Sequence, residues 1–437
     1  METKAIHVFK NPNFSLVFFG VLVSNVAHIF FNFAISLYVL DVASKAFGVA
    51  NAALIQAAYL AVAGIILVIL MPFGGSLADK LNKVRTMYIT DYIRGLTILG
   101  VALLIFTVED PIILIITLFL MNVVLSVNSA FFGPAASSLL RFIVSDEELQ
   151  PAASYLHGSQ NLQSILGVIL GGILYVTLGI FWIFVMNGVA YIISAITEMF
   201  IKYKRETQSS NLTFKDVLHD IKDGVVYIRK EKAIFAVLLM ALSLNFFVSP
   251  FFSNGMPYFI KFGLSSETSY LFSQWLRPEN WLSVMSVTFS IAAMTMSLLL
   301  SKHKTKERYG KQMKRSIVSA SLFLTISALF MIGYYTRLLD VSVVLIGVSL
   351  MQLGIGFSVV LFNVPFSIVI QRKVDRAQLG KVNAVTGVLS QALIPFASLI
   401  AGVLISQISP IALYVFTIVG MSMVAIVYYF NKTSDQI

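Results

Sequence analysis

The chain has no cysteine, few charges and no polar stretch long enough to fold as a domain of its own. Without cysteine there are no disulfides, no Cys-ligated metal sites and no thiol catalysis, and the redox compartment stays open. Asp, Glu, Lys and Arg make up only 12% of the 437 residues, against 58% hydrophobic. With a mean hydropathy of +0.86, that balance excludes an ordinary soluble domain. The five histidines are too scattered to resemble a metal site. No nucleotide loop, metal cluster or nucleophile–base motif occurs, so neither an enzyme nor a cofactor is expected. The N-terminus lacks a short apolar region followed by a small-residue cleavage site. The first apolar run is therefore expected to be a mature helix that serves as its own insertion signal.

What fills the chain is apolar runs of roughly 20 residues, enough to cross a hydrocarbon core. Peptide groups in that core have no water to bond, so the runs should be helices. Twelve are expected, near 14–40, 50–76, 86–107, 112–138, 153–177, 181–201, 233–260, 280–300, 316–336, 341–370, 382–406 and 410–431. The net charge of +10 is topological rather than a sign of nucleic-acid binding. Of the 31 basic residues, 26 fall in breaks on one side, including clusters at 202–232 and 302–315. Lys45, Lys261, Arg277 and Arg337 fall on the other, and Arg94 lies inside a span. Excess Lys and Arg marks the cytoplasmic face, which places both termini inside. Trp182, Trp275 and Trp281 fall near outer boundaries, as an aromatic belt would place them.

The first span carries Asn25, His28 and Asn32 at spacings of three and four, on one face. Polar groups in hydrocarbon are costly unless they face a bundle interior or wet cavity. They read either as cavity lining or as interhelical hydrogen bonds that hold helices together. His28 titrates in a range that suits proton coupling, with Asp41 as the second candidate. Asn128 in the fourth span and Asn161 in the fifth extend the polar set. In the second half it continues with Asn245, Asn254, Asn363 and Gln391. Gly167 and Gly171 in GVILGG have the small-xxx-small spacing that lets a neighbouring helix approach. The second span is expected to end in Pro72–Gly75, followed by the mixed-charge turn GGSLADKLNKVR, Gly74 to Arg85. Asp91 and Arg94 follow at i,i+3, close enough to pair on one helix face.

Residues 202–232 are charged, and Phe214, Val217, Leu218, Ile221, Val225 and Ile228 recur at helical spacing. They predict an amphipathic helix on the cytoplasmic surface that joins two halves. RFIVSDEELQPAASY after the fourth span resembles QRKVDRAQLGKVNAV after the tenth. Such internal similarity suits parallel repeats of six helices, with the site near midplane between them. The expected organisation is 1–201, a first six-helix half; 202–232, a linker; and 233–437, a second six-helix half.

These motifs resemble the major facilitator superfamily, within it the twelve-helix bacterial efflux branch of macrolide- and siderophore-exporter-like proteins. The likeness covers nearly the whole chain and is strongest in GGSLADKLNKVR with Asp91 and Arg94. Gly75, Asp79 and Lys83 or Arg85 occupy the Gly, acidic and basic positions of the family's loop between helices 2 and 3. The resemblance implies that this loop latches the halves on the cytoplasmic side, opposite the start of helix 11, where Gly380 and Lys381 stand. Asn82 stands where the loop often has Gly, and Val168 where the antiporter motif of helix 5 usually has Pro. It also implies the all-α, twelve-helix major facilitator fold, in two six-helix pseudo-repeats within a bacterial inner membrane.

No acidic residue falls at the midplane of the cavity helices; Asp91 and Glu198 sit toward inner ends, and Asp41, Glu279 and Asp340 toward outer ones. A cation carrier usually needs a buried carboxylate, so the 35 Phe, 17 Tyr and 16 Met suit a bulky amphiphile better. The expectation is a monomeric, proton-coupled exporter of an amphipathic, macrolide- or drug-like small molecule. An uptake carrier, or a translocator of a lipid-like molecule, uses the same scaffold, and a non-transporting receptor is the third class.

Overall fold

The computed structural model describes residues 5–202, 214–265, 267, 269–301, 309–374 and 379–431. Among them every regular element is helical. The first six long helices are α1 (Pro12–Phe47), α2 (Val49–Lys80), α3 (Lys83–Thr107), α4 (Pro111–Ile143), α5 (Asp146–Thr177) and α6 (Ile180–Met199). The amphipathic α7 (Phe214–Lys230) follows. Next, α8 (Lys232–Pro250) runs through a π-turn (Phe251–Gly255), α9 (Met256–Tyr258) and a second π-turn (Phe259–Gly263) as one rod. Then come α10 (Pro278–Ser301), α11 (Gly310–Tyr335), α12 (Val341–Lys373), α13 (Leu379–Gln391), α14 (Ile394–Val403) with a π-turn (Leu404–Ile408), and α15 (Pro410–Phe430). Among the described residues, eleven segments are long and apolar enough to cross a membrane. The twelfth expected span is α5, whose apolar part is only Leu162–Thr177 because its first half is polar.

Contacts divide the chain into two compact units: Met1–Tyr38 with Val62–Val217, and Val39–Ala61 with Leu218–Ile437. In the first, α3 packs along α6 and α4. Gly95 and Gly188 make the α3–α6 crossing possible: a Cβ on Gly95 would lie 2.9 Å from the Gly188 carbonyl oxygen. Gly167 and Gly171 of α5 lie against Ile29, Val26 and Phe33 of α1, so the small-residue spacing does admit a neighbour. A second core of Phe14, Met87, Leu139 and Ile143 closes the Lys/Arg-rich end. In the second unit, α12 packs along α10 and α11, and α15 along α11 and α8. The first turns of α2 belong here, where Gly402 lies against Ala53, Leu54 and Ala57.

Several expectations change in detail. The helix does not end at Pro72–Gly75; α2 continues to Lys80, so GGSLADK is helical and the turn before α3 is only Leu81–Asn82. Pro72 removes one backbone donor. The helix nevertheless persists where Gly74 lies against the Ala130 backbone of α4. The eleventh span is broken at Ala392–Leu393, because Pro395 in the first turn of α14 cannot continue the ladder of α13. Trp182 and Trp275 are exposed, but Trp281 is buried at the start of α10 and does not belong to a belt. The amphipathic helix forms as expected. Its apolar face is covered by protein: Ile228, with Ile221 and Val225, packs against Ile234, Leu238, Ile370, Val374 and Val382.

Candidate functional site

In the first unit, α1, α4 and α5 enclose a cavity of about 400 Å³. Its wall holds Asn25, Ser159, Gln160 and Gln163 on one side and Phe132 and Gly133 on another. The polar side is wired: Asn25 Nδ2 donates to Gln163 Oε1 at 3.1 Å, and Gln163 Nε2 donates to Ser159 Oγ at 3.0 Å. Gly133 lies in open space, so no side chain narrows the cavity there. The described lining includes no charged side chain.

The charges lie directly behind. Arg94 Nη1 donates to Asp91 Oδ1 at 2.9 Å, within one helix turn, and both side chains are almost wholly buried. The guanidinium carbon stands 4.8 Å from the centre of the Phe132 ring and 5.5 Å from that of Tyr191. Phe132 therefore faces the cavity and the buried cation together. Tyr191 Oη lies 3.0 Å from His28 Nδ1, and Asn32 Nδ2 lies 2.9 Å from His28 Nε2. An amide nitrogen can only donate, so His28 accepts at Nε2 and carries its hydrogen on Nδ1, toward Tyr191. On α6, Ser194 Oγ donates to Glu198 Oε1 at 3.4 Å, and the Asp91 carboxylate lies near the same serine. Glu198 is fully buried, and Gly20 of α1 packs over Ser194 and Thr197.

Of the residues expected to form the site, Asn25 lines this cavity, and His28 and Asn32 form the network beside it. Asn128 instead turns back on its own helix, donating to the Val124 carbonyl at 2.7 Å. In the second unit, Asn245 and Asn363 line a smaller cavity of about 90 Å³ with Ser358 and Phe362. Asn254 is buried and accepts from Ser398 Oγ at 2.7 Å, while Gln391 is exposed at the end of α13. Asp41 is held by Lys45 at 2.9 Å and Lys261 at 3.5 Å. Lys83 is buried with its Nζ 4.9 Å from the Phe142 ring centre, and Arg85 is exposed. Asn82 caps α3 by accepting from the Arg85 backbone N–H at 3.0 Å. The side chains of Asp79, Asn161 and Lys381 and the surroundings of Gly75 and Gly380 lie outside the described residues.

Glu198, Ser194, Tyr191 and Phe132 were not among the expected site residues. The available signal was weak but present. Tyr191, Ser194 and Glu198 recur at spacings of three and four in a helix with no other charge.

Comparison with known proteins fits this architecture. The model of the Major Facilitator Superfamily matches residues 92–398. The uncharacterized MFS-type transporter YkuC of Bacillus subtilis is 27% identical over 346 residues, 75% of this chain and 72% of its own. Macrolide efflux protein A of Streptococcus pyogenes is 21% identical over 410 residues, 91% of this chain and 92% of its own. A bacterial homologue of the iron transporter ferroportin, crystallised in an inward-facing state, superposes with a TM-score of 0.68 at 15% identity. That match covers 97% of this chain and 98% of the other. The nucleoside transporter NupG superposes with a TM-score of 0.66 at 14% identity, covering 94% and 100%. A family match across most of the chain and a continuous series of membrane-spanning helices make one statement: this chain belongs to the Major Facilitator Superfamily and is a multi-span membrane transporter.

Proposed function

We propose that this transporter exports an amphipathic, macrolide-like small molecule in exchange for protons, by alternating access. The observation that carries the reading is the chemistry of the 400 Å³ cavity: amides and hydroxyls opposite an aromatic wall, with no charge in the described lining. Such a surface orients a bulky molecule that has both hydroxyls and apolar faces, and it offers nothing to a small free cation. The length-wide similarity to macrolide efflux protein A supports the same class. The protein is taken as a monomer in the bacterial cell membrane, with both termini on the basic, cytoplasmic side. Residues 1–201 and 233–437 are taken as the rocking halves, with 202–232 joining them.

The latch is assigned to Gly75, Asp79, Lys83 and Arg85, with Asp91 and Arg94 behind it and Gly380 and Lys381 facing it when the inner side closes. Asp41, set between two lysines, suits an ion pair at the opposite end better than a proton carrier.

Everted membrane vesicles loaded with this protein test the reading, with erythromycin and a neutral fluorescent amphiphile as probes. Accumulation that appears with an imposed proton gradient and disappears with a protonophore supports proton-driven export. Accumulation only in right-side-out vesicles replaces it with uptake. The Asp79→Asn variant should insert normally and lose transport; full activity removes the latch from the mechanism.

A further inference from the structure

The charge cluster behind Phe132 does not balance. Asp91 and Glu198 supply two carboxylates, and Arg94 is the one cation among the described residues that pairs with either. Ionised together, the three leave one negative charge in a site closed to water. Such a charge needs a partner or neutralisation. The atoms left without a partner are informative: Asp91 Oδ2, Glu198 Oε2 and Arg94 Nε, all buried. Ser194 donates to Glu198 Oε1, and Asp91 lies near the same hydroxyl, so the two carboxyl groups are neighbours. No cavity adjoins Glu198 among those described, and no group of three or more acidic or His side chains among the described residues could hold a metal. The cation that fits is a proton.

Resting on the proton-coupled reading above, we propose that Glu198, buried beside Ser194 and Asp91, binds and releases the coupling proton, and that Arg94 conveys its charge state to the cavity through Phe132. The step forms or breaks one O–H bond: Glu198 carboxylate plus a proton gives the carboxylic acid. With Glu198 protonated, Arg94 belongs to Asp91 alone, which is the pairing observed. When the proton leaves, Glu198 competes for the unused Nε edge of Arg94. The guanidinium then turns away from the Phe132 ring, and the apolar wall of the cavity shifts with it. The groups facing Glu198 are Asp91 and Arg94 from α3 and Ser194 from α6; Tyr191 of α6 faces Arg94. From α1, His28 lies behind Tyr191, already satisfied as a neutral ring.

The test uses the full-length protein in proteoliposomes. Infrared difference spectra between acid and alkaline pH should show a buried carboxylic C=O band in the wild type that is lost in Glu198→Gln. An unchanged band in that variant overturns the proposal. In transport, Glu198→Gln should keep one-for-one exchange of erythromycin across the bilayer, which moves no net proton, and lose gradient-driven accumulation at least tenfold. Glu198→Asp should restore part of it. Undiminished gradient-driven accumulation in Glu198→Gln also overturns the assignment, whereas loss of exchange and accumulation together reduces Glu198 to a structural role. If the wild type moves neither probe, the export reading fails on substrate, and the infrared titration alone decides the proton site.

Discussion

The crossing of α3 and α6 yields a prediction whose size follows from distances. A methyl on Gly95 would sit 2.7 Å from Ile192 Cδ1 and 2.9 Å from the Gly188 carbonyl oxygen. The isoleucine end can rotate, but the carbonyl belongs to the backbone of α6 and cannot. Carbon–oxygen contacts settle near 3.4 Å, so the helices must part by about half an ångström. Overpacking of this kind costs roughly 1–3 kcal/mol. Replacing glycine by alanine inside a helix also changes backbone entropy, by about 0.5–1 kcal/mol in the favourable direction. Gly100, on the same helix with nothing near its Cβ position, isolates that contribution. Gly95→Ala should therefore be less stable than Gly100→Ala by roughly 1–3 kcal/mol, a five- to 150-fold difference in the folded-to-unfolded ratio. Unfolding of the purified variants in mild detergent, followed by denaturant titration, measures that gap. Equal stability of the two variants would refute the backbone-to-backbone crossing, and with it the geometry that holds Arg94 against Tyr191.

Three further outcomes are expected. Asn82→Ala should lose about 1 kcal/mol through the missing cap of α3, and Asn82→Gly only a few tenths, in the same unfolding assay. Phe132→Ala should slow erythromycin export in everted vesicles several-fold by removing both the cavity wall and the ring under Arg94. Phe132→Trp should retain export, since indole holds a cation at least as well. Asn187 is fully buried with neither amide atom hydrogen-bonded among the described residues, so Asn187→Leu should stabilise the protein by about 1–2 kcal/mol. A clear loss would show that the amide finds a partner in another state of the transport cycle.

Much of the fold was legible because hydrocarbon imposes simple rules. The spans, the amphipathic α7, the approach of α1 at Gly167 and Gly171, and the Asp91–Arg94 pair all follow from spacing within a single helix. What escaped depends on partners distant in sequence. Pro72 with Gly74 reads locally as a helix end, yet Gly74 is needed for contact with Ala130 on α4, and α2 runs on through it. Glu198 reads only as an acid toward the inner end of its span; the crossing at Gly95 and Gly188 sets it beside Asp91 and Arg94. Trp281 carried the signature of an interfacial residue and is instead enclosed at the start of α10.

The placement of the charges also bears on how the protein is made. Helices enter the bilayer one after another, before their tertiary partners exist, and a lone charge near a helix centre opposes insertion by about 3 kcal/mol. Asp91 and Arg94 sit on the same helix one turn apart, so α3 brings its own counterion through the translocon. Glu198 has no basic residue within α6 and lies one residue from its end, so it enters most cheaply as the neutral acid or already against α3. Being last of the first six, α6 arrives when α3 is in place and can offer Arg94. The order of the helices in the gene thus lets the most exposed step of biogenesis, the insertion of a buried acid, take place beside the cation that will hold it.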